Sequence, residues 1–347
     1  MEEKMKAYVL HGVSDLRYEE MAKPSPQPGE VLVRVKAAGI CGSDIPRIYQ
    51  TGAYHHPLIP GHEFSGQIEE IGEGVDKQWL GKRVGIFPLI PCRKCPSCQK
   101  KQYEMCRQYS YLGSRTDGGV AEYVRVPEWN LLELPDKVTF EQAAMLEPMA
   151  VAVHAIHQSN FPGALTGNTE ESQFHKSIHT SERSMVEKHI AVCGLGTIGL
   201  FIVMLLRSMG HNKVYAIGNK DFQRGAAEKL GVVSDHYCDV HREDCVEWLM
   251  NHTEGEGVDI FFECVGKNEV LTQGVNSIAP GGYAAPSRES LDEYAAGEDC
   301  VLEAFKTPDH RTGYLEFQFC PRGEGRLALC AERFGTGKNS SGGYDNA

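Results

Sequence analysis

The sequence predicts an α/β chain in two parts: an irregular β-rich barrel, then a doubly wound parallel sheet, with an atypical C-terminal stretch. Three observations carry this. Short β-rich runs punctuated by Gly and Pro fill residues 6 to 130, strand and helix patterns alternate from Lys188, and a glycine turn opens that alternation. A chain of 347 residues is too long for one ordinary core and suits two.

In the first part, Val31-Leu-Val-Arg-Val-Lys36 and Arg83-Val-Gly-Ile-Phe87 read as strands. A helix is expected near Thr139, because Thr139-Phe-Glu-Gln142 has the form of a capping box. From Lys188 the order is strand His189–Cys193, helix from about Ile198 to Met209, strand Lys213–Ile217, helix Gln223–Lys229 and strand Val258–Phe262. The expected domains are 1–157, with a cysteine lobe at about 91–107, and 189–283. Between them, 158–188 reads as a polar loop or insertion, and 284–347 as a divergent tail.

Hydrophobic residues are 41% and charged residues 24% of the chain, the balance of a globular protein rather than a disordered one. No apolar run approaches the length of a membrane span. The charged start leads into a strand-like run instead of an export signal, so a cytoplasmic location is expected. A net charge of −12, with no Lys/Arg block, argues against nucleic acid or an anionic membrane as partner. Twelve cysteines in a long chain of this kind point to metal or buried thiols more than to disulfides.

Cys92, Cys95, Cys98 and Cys106 present four thiols within fifteen residues, which suits a tetrahedral S4 zinc site. Four thiolates leave no open coordination position, so that zinc is structural. A second set is mixed: Cys41 in Cys41-Gly-Ser-Asp44, His62 and Glu63 after Gly61, and Glu147 in Leu146-Glu-Pro148. Thiolate, imidazole and carboxylate together are what an open catalytic zinc uses. Gly194, Gly196 and Gly199 form a G-x-G-x-x-G turn between an apolar strand and a helix. There the backbone N–H groups, including those of Thr197 and Ile198, can meet a pyrophosphate.

Gly61-His-Glu-Phe-Ser-Gly66, Cys41-Gly-Ser-Asp44, the thiol quartet and Gly194-Leu-Gly-Thr-Ile-Gly199 occur in the order and spacing of the zinc-containing medium-chain dehydrogenases, which this chain resembles over about residues 6 to 283. Cys41-Gly-Ser-Asp-Ile-Pro-Arg47, Pro88-Leu-Ile-Pro-Cys92 and Gly113-Ser-Arg-Thr-Asp-Gly-Gly119 bring it nearest to the galactitol-1-phosphate branch, and the sorbitol dehydrogenases come next. The resemblance implies a GroES-like catalytic domain, a Rossmann domain, two zinc ions per chain, NAD and a homodimer or homotetramer. It implies Cys41, His62 and Glu63 at the catalytic zinc and Glu147 as second carboxylate, directly or through water. Leu-Glu-Pro is the polyol-type form, with a carboxylate where alcohol-type members carry a second Cys. Ser43 and Asp44 become the hydroxyl relay and the residue that orients a ligand, and Val265 lines the cofactor.

The ribose end is less regular. NAD enzymes carry an acid at the end of the second strand, but here Gly218, Asn219 and Lys220 stand there and Asp221 comes three positions late. The resemblance favours NAD, while the local chemistry permits NADP. The expected reaction moves hydride from a secondary hydroxyl of a polyol or polyol phosphate; sorbitol, threonine and butanediol are alternatives. Arg47 and Arg115 are the candidates for a substrate phosphate, because a guanidinium forks onto one. Tyr54, His55 and His56 are pocket-lining candidates.

Beyond about Ser287 the sequence departs from its relatives. Tyr314-Leu-Glu-Phe-Gln-Phe319 and Gly325-Arg-Leu-Ala-Leu-Cys330 can be encoded so that starting one nucleotide later yields Thr-Trp-Asn-Ser-Ser and Glu-Asp-Trp-His-Tyr, segments typical of these enzymes. The tail is therefore expected to be frame-shifted. A zinc-binding remnant without catalysis is the rival reading.

Overall fold

The computed structural model describes residues 3–159, 187–286 and 329–330. Most of the insertion expected at 158–188, and all of the tail after 286 except Leu329–Cys330, lie outside the described residues. Contacts divide the described residues into one unit comprising 3–92, 108–146 and 329–330 and another comprising 93–107, 147–159 and 187–286.

The first unit begins with an antiparallel hairpin of β1 (Lys4–Gly12) and β2 (Asp15–Ala22). A curled antiparallel sheet follows, from β3 (Glu30–Ala38), β4 (Phe64–Ile71) and β5 (Arg83–Ile86). Beyond these come the short pair β6 (Leu89–Ile90) and β7 (Ser110–Tyr111), then β8 (Tyr123–Pro127) and β9 (Leu131–Glu133). The sheet order runs β3-β4-β5-β9, and β8 covers the other edge of β3 from Glu30 to Arg34. Val31, Val33, Val35, Phe64, Ile68, Val84 and Val124 pack into one core. Thr139 and Gln142 exchange both bonds of the expected capping box and open the helix Phe140–Ala144.

The second unit holds a five-stranded sheet built from β10 (Ile190–Cys193), β11 (Val214–Gly218), β12 (Tyr237–Asp239), β13 (Val258–Glu263) and β14 (Ile278–Pro286). All pairings are parallel, in the order β12-β11-β10-β13-β14. The order reverses direction at β10, the first strand, and in such sheets ligands bind beyond the carboxyl ends of the strands at that point. These strands are apolar on both faces, as parallel strands covered by helices must be: Ile190, Ala191 and Val192 are fully buried, as are Phe261 and Phe262. The helices Thr197–Ser208 and Asp221–Lys229 start one and two residues before the expected positions.

Two expectations need correction. The regular pattern does not stop at Tyr283, because pairing with β13 carries β14 on to Pro286, opposite Glu263. The helices Cys245–His252 and Asn268–Ser277 are additional to the expected elements; the first is short and the second is rich in polar residues, so packing on the sheet determines them.

Tyr215 is surrounded by His189, whose Nδ1 lies 2.7 Å from its hydroxyl, and by the rings of His236 and Trp248. Burial pushes the Tyr215 phenol up to about 12. Burial, with His252 and Arg207 nearby, lowers the His236 pKa, outweighing the opposing charge of Asp235 and a backbone hydrogen bond at Val214. The fold thus favours neutral His236, and the unfolded chain binds the proton first on acidification. Stability is complete above the ordinary histidine value of 6.5 and is lost as pH falls through it toward the lowered folded value. Melting temperatures of the native protein and of His236→Gln across this range check it: the native protein should lose more on acidification than the variant.

Candidate active site

The quartet comes first along the chain's logic because it is purely local. Cys95 precedes the short helix Pro96–Gln99 and its carbonyl accepts from Gln99 N–H at 3.0 Å; Cys98 lies within that helix. Cys106 N–H donates to the Tyr103 carbonyl at 3.0 Å. These turns bring the sulfurs of Cys92, Cys95, Cys98 and Cys106 all within 4.8 Å of one another. Around zinc, with Zn–S of about 2.3 Å, tetrahedral sulfurs stand roughly 3.8 Å apart, so the set fits a closed S4 shell.

The mixed set is made by sheet pairing. Ala38 at the end of β3 faces Phe64 at the start of β4, so Cys41, just past one strand, meets His62 and Glu63, just before the other. Gly39 N–H donates to the Glu63 carbonyl at 2.6 Å, and a side chain at Gly39 would run into the Glu63 carboxylate. Gly61, with φ of +97°, turns the chain into His62 under Val120. One ligand atom from each of Cys41, His62 and Glu63 falls within 4.8 Å of the others. His62 and Glu63 are buried, and so is Asp44 beside them.

Asp44 links this set together. Its Oδ2 accepts from Cys41 N–H at 3.1 Å, and its Oδ1 accepts from Arg47 Nη1 at 2.5 Å and lies 3.7 Å from His62 Nδ1. Ser43 N–H points to the Cys41 sulfur at 3.5 Å. Arg47 is thus engaged with Asp44, with only 14% of its side chain exposed. Arg115 is held differently: its guanidinium carbon sits 4.0 Å from the Tyr54 ring and 4.4 Å from the Tyr109 ring, and Nη2 donates to Tyr109 hydroxyl at 3.0 Å. His55 Nε2 lies 3.1 Å from the Arg115 carbonyl, and Arg115 N–H donates to the Tyr111 carbonyl at 2.8 Å. The Tyr111 ring stands edge-on to His62, 5.8 Å between centroids. Glu147 is buried at the start of the helix Leu146–Gln158, in the second unit, and is not among the three gathered ligands.

The glycine turn follows β10. Gly194 has φ of +94°, and a methyl group on it would lie 2.7 Å from the Val265 side chain. Gly196 has open space where a side chain would project, and it caps the helix Thr197–Ser208, whose first residues are Thr197 and Ile198. A side chain at Gly199 would strike the Gly194 carbonyl. Tight turn, open approach and close helix packing are the three glycine roles of a dinucleotide turn. Glu263, buried at the end of β13, takes Val265 N–H at 2.7 Å and Gly266 N–H at 2.8 Å on one oxygen and so fixes the facing loop. At the end of β11, Gly218 is followed by Asn219, whose N–H donates to Gln223 Oε1 at 3.0 Å, and by Lys220, which precedes the helix Asp221–Lys229.

Sequence reasoning passed over Glu263, Tyr109 and Tyr111. An acid closing the apolar run Val258-Asp-Ile-Phe-Phe-Glu263 was a signal for the first. The two tyrosines carried none, because only the fold brings them to Arg115 and His62.

Two family models match the chain: the alcohol dehydrogenase GroES-like domain at residues 27–136 and the zinc-binding dehydrogenase domain at 197–286. L-threonine 3-dehydrogenase of Pyrococcus horikoshii is 32% identical over 79% of this chain and 74% of its own length. The chain belongs to the zinc-containing medium-chain dehydrogenases. Galactitol 1-phosphate 5-dehydrogenase of Escherichia coli K12 is 35% identical over 59% of this chain, and the match spans about half of that relative, 52%. Among solved structures, a zinc-binding dehydrogenase from Sinorhizobium meliloti bound to NADP is 30% identical, with a TM-score of 0.70, covering 82% of this chain and 77% of that one. Among the described residues, no helix is long and apolar enough to cross a membrane.

Each metal set is open to a direct check. Cys95→Ser is expected to remove about one zinc ion per chain and to lower the melting temperature, because a structural zinc contributes folding energy. Cys41→Ser should remove the other ion with a smaller melting shift. Elemental analysis and calorimetry read both, and equal melting losses would refute the division into structural and catalytic sites.

Proposed function

We propose that this chain is a zinc-dependent dehydrogenase that takes hydride from a secondary hydroxyl of a polyol or polyol phosphate and delivers it to a nicotinamide dinucleotide. The observation that carries the reading is the gathering of a thiol, an imidazole and a carboxylate from Cys41, His62 and Glu63, in a chain that also carries a glycine turn shaped for a pyrophosphate. A zinc ion held there supplies Lewis acidity toward a hydroxyl oxygen, and the nicotinamide ring supplies the hydride acceptor.

The protein's own groups do the remainder. Asp44 orients Cys41 through its backbone N–H and faces His62, and Arg47 balances its charge. Ser43, next to Asp44, offers a hydroxyl to carry the substrate proton toward solvent. Glu147 is the further carboxylate of the ligand set. The backbone N–H groups of Gly196, Thr197 and Ile198 take the pyrophosphate, and Val265 packs on the cofactor. Arg115, held against the Tyr54 and Tyr109 rings, is the better candidate for a substrate phosphate, since Arg47 is engaged with Asp44. The active protein is a homodimer or homotetramer, working in the cytoplasm.

The likeness to a threonine dehydrogenase over 74% of that enzyme supports a second reading, in which the secondary alcohol is an amino acid's. Steady-state kinetics with galactitol 1-phosphate, galactitol, sorbitol, L-threonine and 2,3-butanediol separates the two. A phosphorylated polyol should give the highest kcat/KM, and Arg115→Ala should cut its advantage over the free polyol by roughly ten- to hundredfold, the worth of a hydrogen bond to a charged group. Turnover of L-threonine alone would replace the polyol reading. No turnover of any alcohol with either dinucleotide would favour the non-catalytic remnant.

A further inference from the structure

The chain as a whole is acidic, yet one small lobe concentrates cations. Residues 93–107 hold Arg93, Lys94, Lys100, Lys101 and Arg107 against the single acid Glu104, in a chain whose net charge is −12. No Lys/Arg run in the chain exceeds two residues, and two of its three such pairs fall here. Cysteines interrupt the cations along the sequence, so they form no block. We propose that the cysteine lobe is a docking surface for an acidic segment of a partner protein, one that carries an apolar side chain among its carboxylates.

The fold of the lobe brings the five together. Each lies within three residues of a cysteine, and the four sulfurs come within 4.8 Å of one another. Successive Cα atoms stand about 3.8 Å apart, so the five backbones share a patch on the order of 20 Å across. All five side chains are exposed. Among the described residues, no ion pair engages Lys94, Lys100, Lys101 or Arg107. Four thiolates on one zinc ion carry two negative charges of their own, and the five cations still outnumber these and Glu104 together.

Two of the cations stand in backbone positions that favour glycine. The helix Pro96–Gln99 ends in a Schellman turn: Gln102 N–H donates to the Ser97 carbonyl at 3.0 Å, and Lys101 N–H to the Cys98 carbonyl at 3.0 Å. That turn puts Lys101 in the left-handed region, with φ of +63°, where glycine is the usual residue. Arg93, in the turn between Cys92 and Cys95, has φ of +60°. Folding alone is better served by glycine at such positions. For Lys101, which no ion pair among the described residues holds, this points to a use of the side chain outside the fold.

The chemistry of the surface selects the partner. Met105, 55% exposed beside Cys106, offers a deformable apolar anchor in the same lobe. Met and Arg are enriched where proteins meet. A nucleic acid strand would want exposed rings on which to stack, whereas Tyr103 and Tyr109 are half-buried. The acidic remainder of the chain repels a carboxylate-rich segment and so helps to direct it to this lobe.

The test is fluorescence anisotropy of the full, zinc-loaded chain with a labelled peptide of glutamates and aspartates around one leucine, beside the same peptide with lysines for its acids. The acidic peptide should bind and the lysine peptide should not, and the affinity should fall as salt is added. Lys100→Glu with Lys101→Glu should weaken binding roughly tenfold or more, with zinc content and melting temperature unchanged as the check on folding. Met105→Ala should weaken it less. Lys94→Glu gives the same reading should the double variant lose zinc. No binding at low salt, or binding indifferent to these substitutions, overturns the proposal. Tighter binding of a DNA duplex or of anionic vesicles assigns the lobe to another occupant and overturns it too. So does an oligomer that dissociates in the double variant while the native protein ignores the peptide, because the occupant is then a second copy of this chain.

Discussion

The antiparallel register between β3 and β4 is the constraint on which the gathering of Cys41, His62 and Glu63 depends. Cys41 and His62 are about twenty residues apart in sequence, and nothing local holds them together. Pairing of Ala38 with Phe64, anchored by Gly39 N–H on the Glu63 carbonyl, delivers both strand ends to one place. A one-residue slip would turn every inward side chain of β4 outward and take His62 away from Cys41. The apolar face of β3 and β4 therefore does more than fill a core, because burial of Val33, Phe64 and Ile68 sets the register that assembles the ligands. Asp44 then works at shorter range, contacting the Cys41 backbone and facing His62 from a buried position where Arg47 compensates its charge.

The parallel sheet obeys a different logic. Its strands are almost uniformly apolar, so side-chain alternation does not specify them and helices on both faces must. Where the order reverses beside β10 the geometry is set by glycines: Gly194 makes the turn, Gly196 stays open and Gly199 lets helix and turn touch. Glu263 completes this edge from the neighbouring strand by holding two backbone N–H groups on one oxygen.

Legibility in the sequence followed the range of the interactions. The quartet and the glycine turn were readable because their spacing is local and their chemistry is narrow. The Thr139 capping box was readable for the same reason, a signal contained within four residues. Cys41, His62 and Glu63 could be nominated from residue type, but their meeting is a property of the β3–β4 pairing. The contact of Arg115 with Tyr54 joins residues about sixty positions apart, and no periodicity announces it. At the ribose end the missing acid was visible, and the lean toward NAD came from resemblance; the Arg224 stack on Tyr237 and the obstruction at Gly218 are tertiary facts.

That obstruction ties three positions together. Tyr237 belongs to β12, yet its hydroxyl occupies the space a side chain at Gly218 would need, and Gln223 closes the same space from the helix. A side chain at 218 would meet the far ends of side chains rather than backbone, so it is admitted only if Tyr237 and Gln223 swing aside, and Gln223 would then give up its bonds to Asn219 and Leu195. One strand end, its neighbouring strand and the following helix share a single space, and a change of residue at any of the three positions alters what the other two can be.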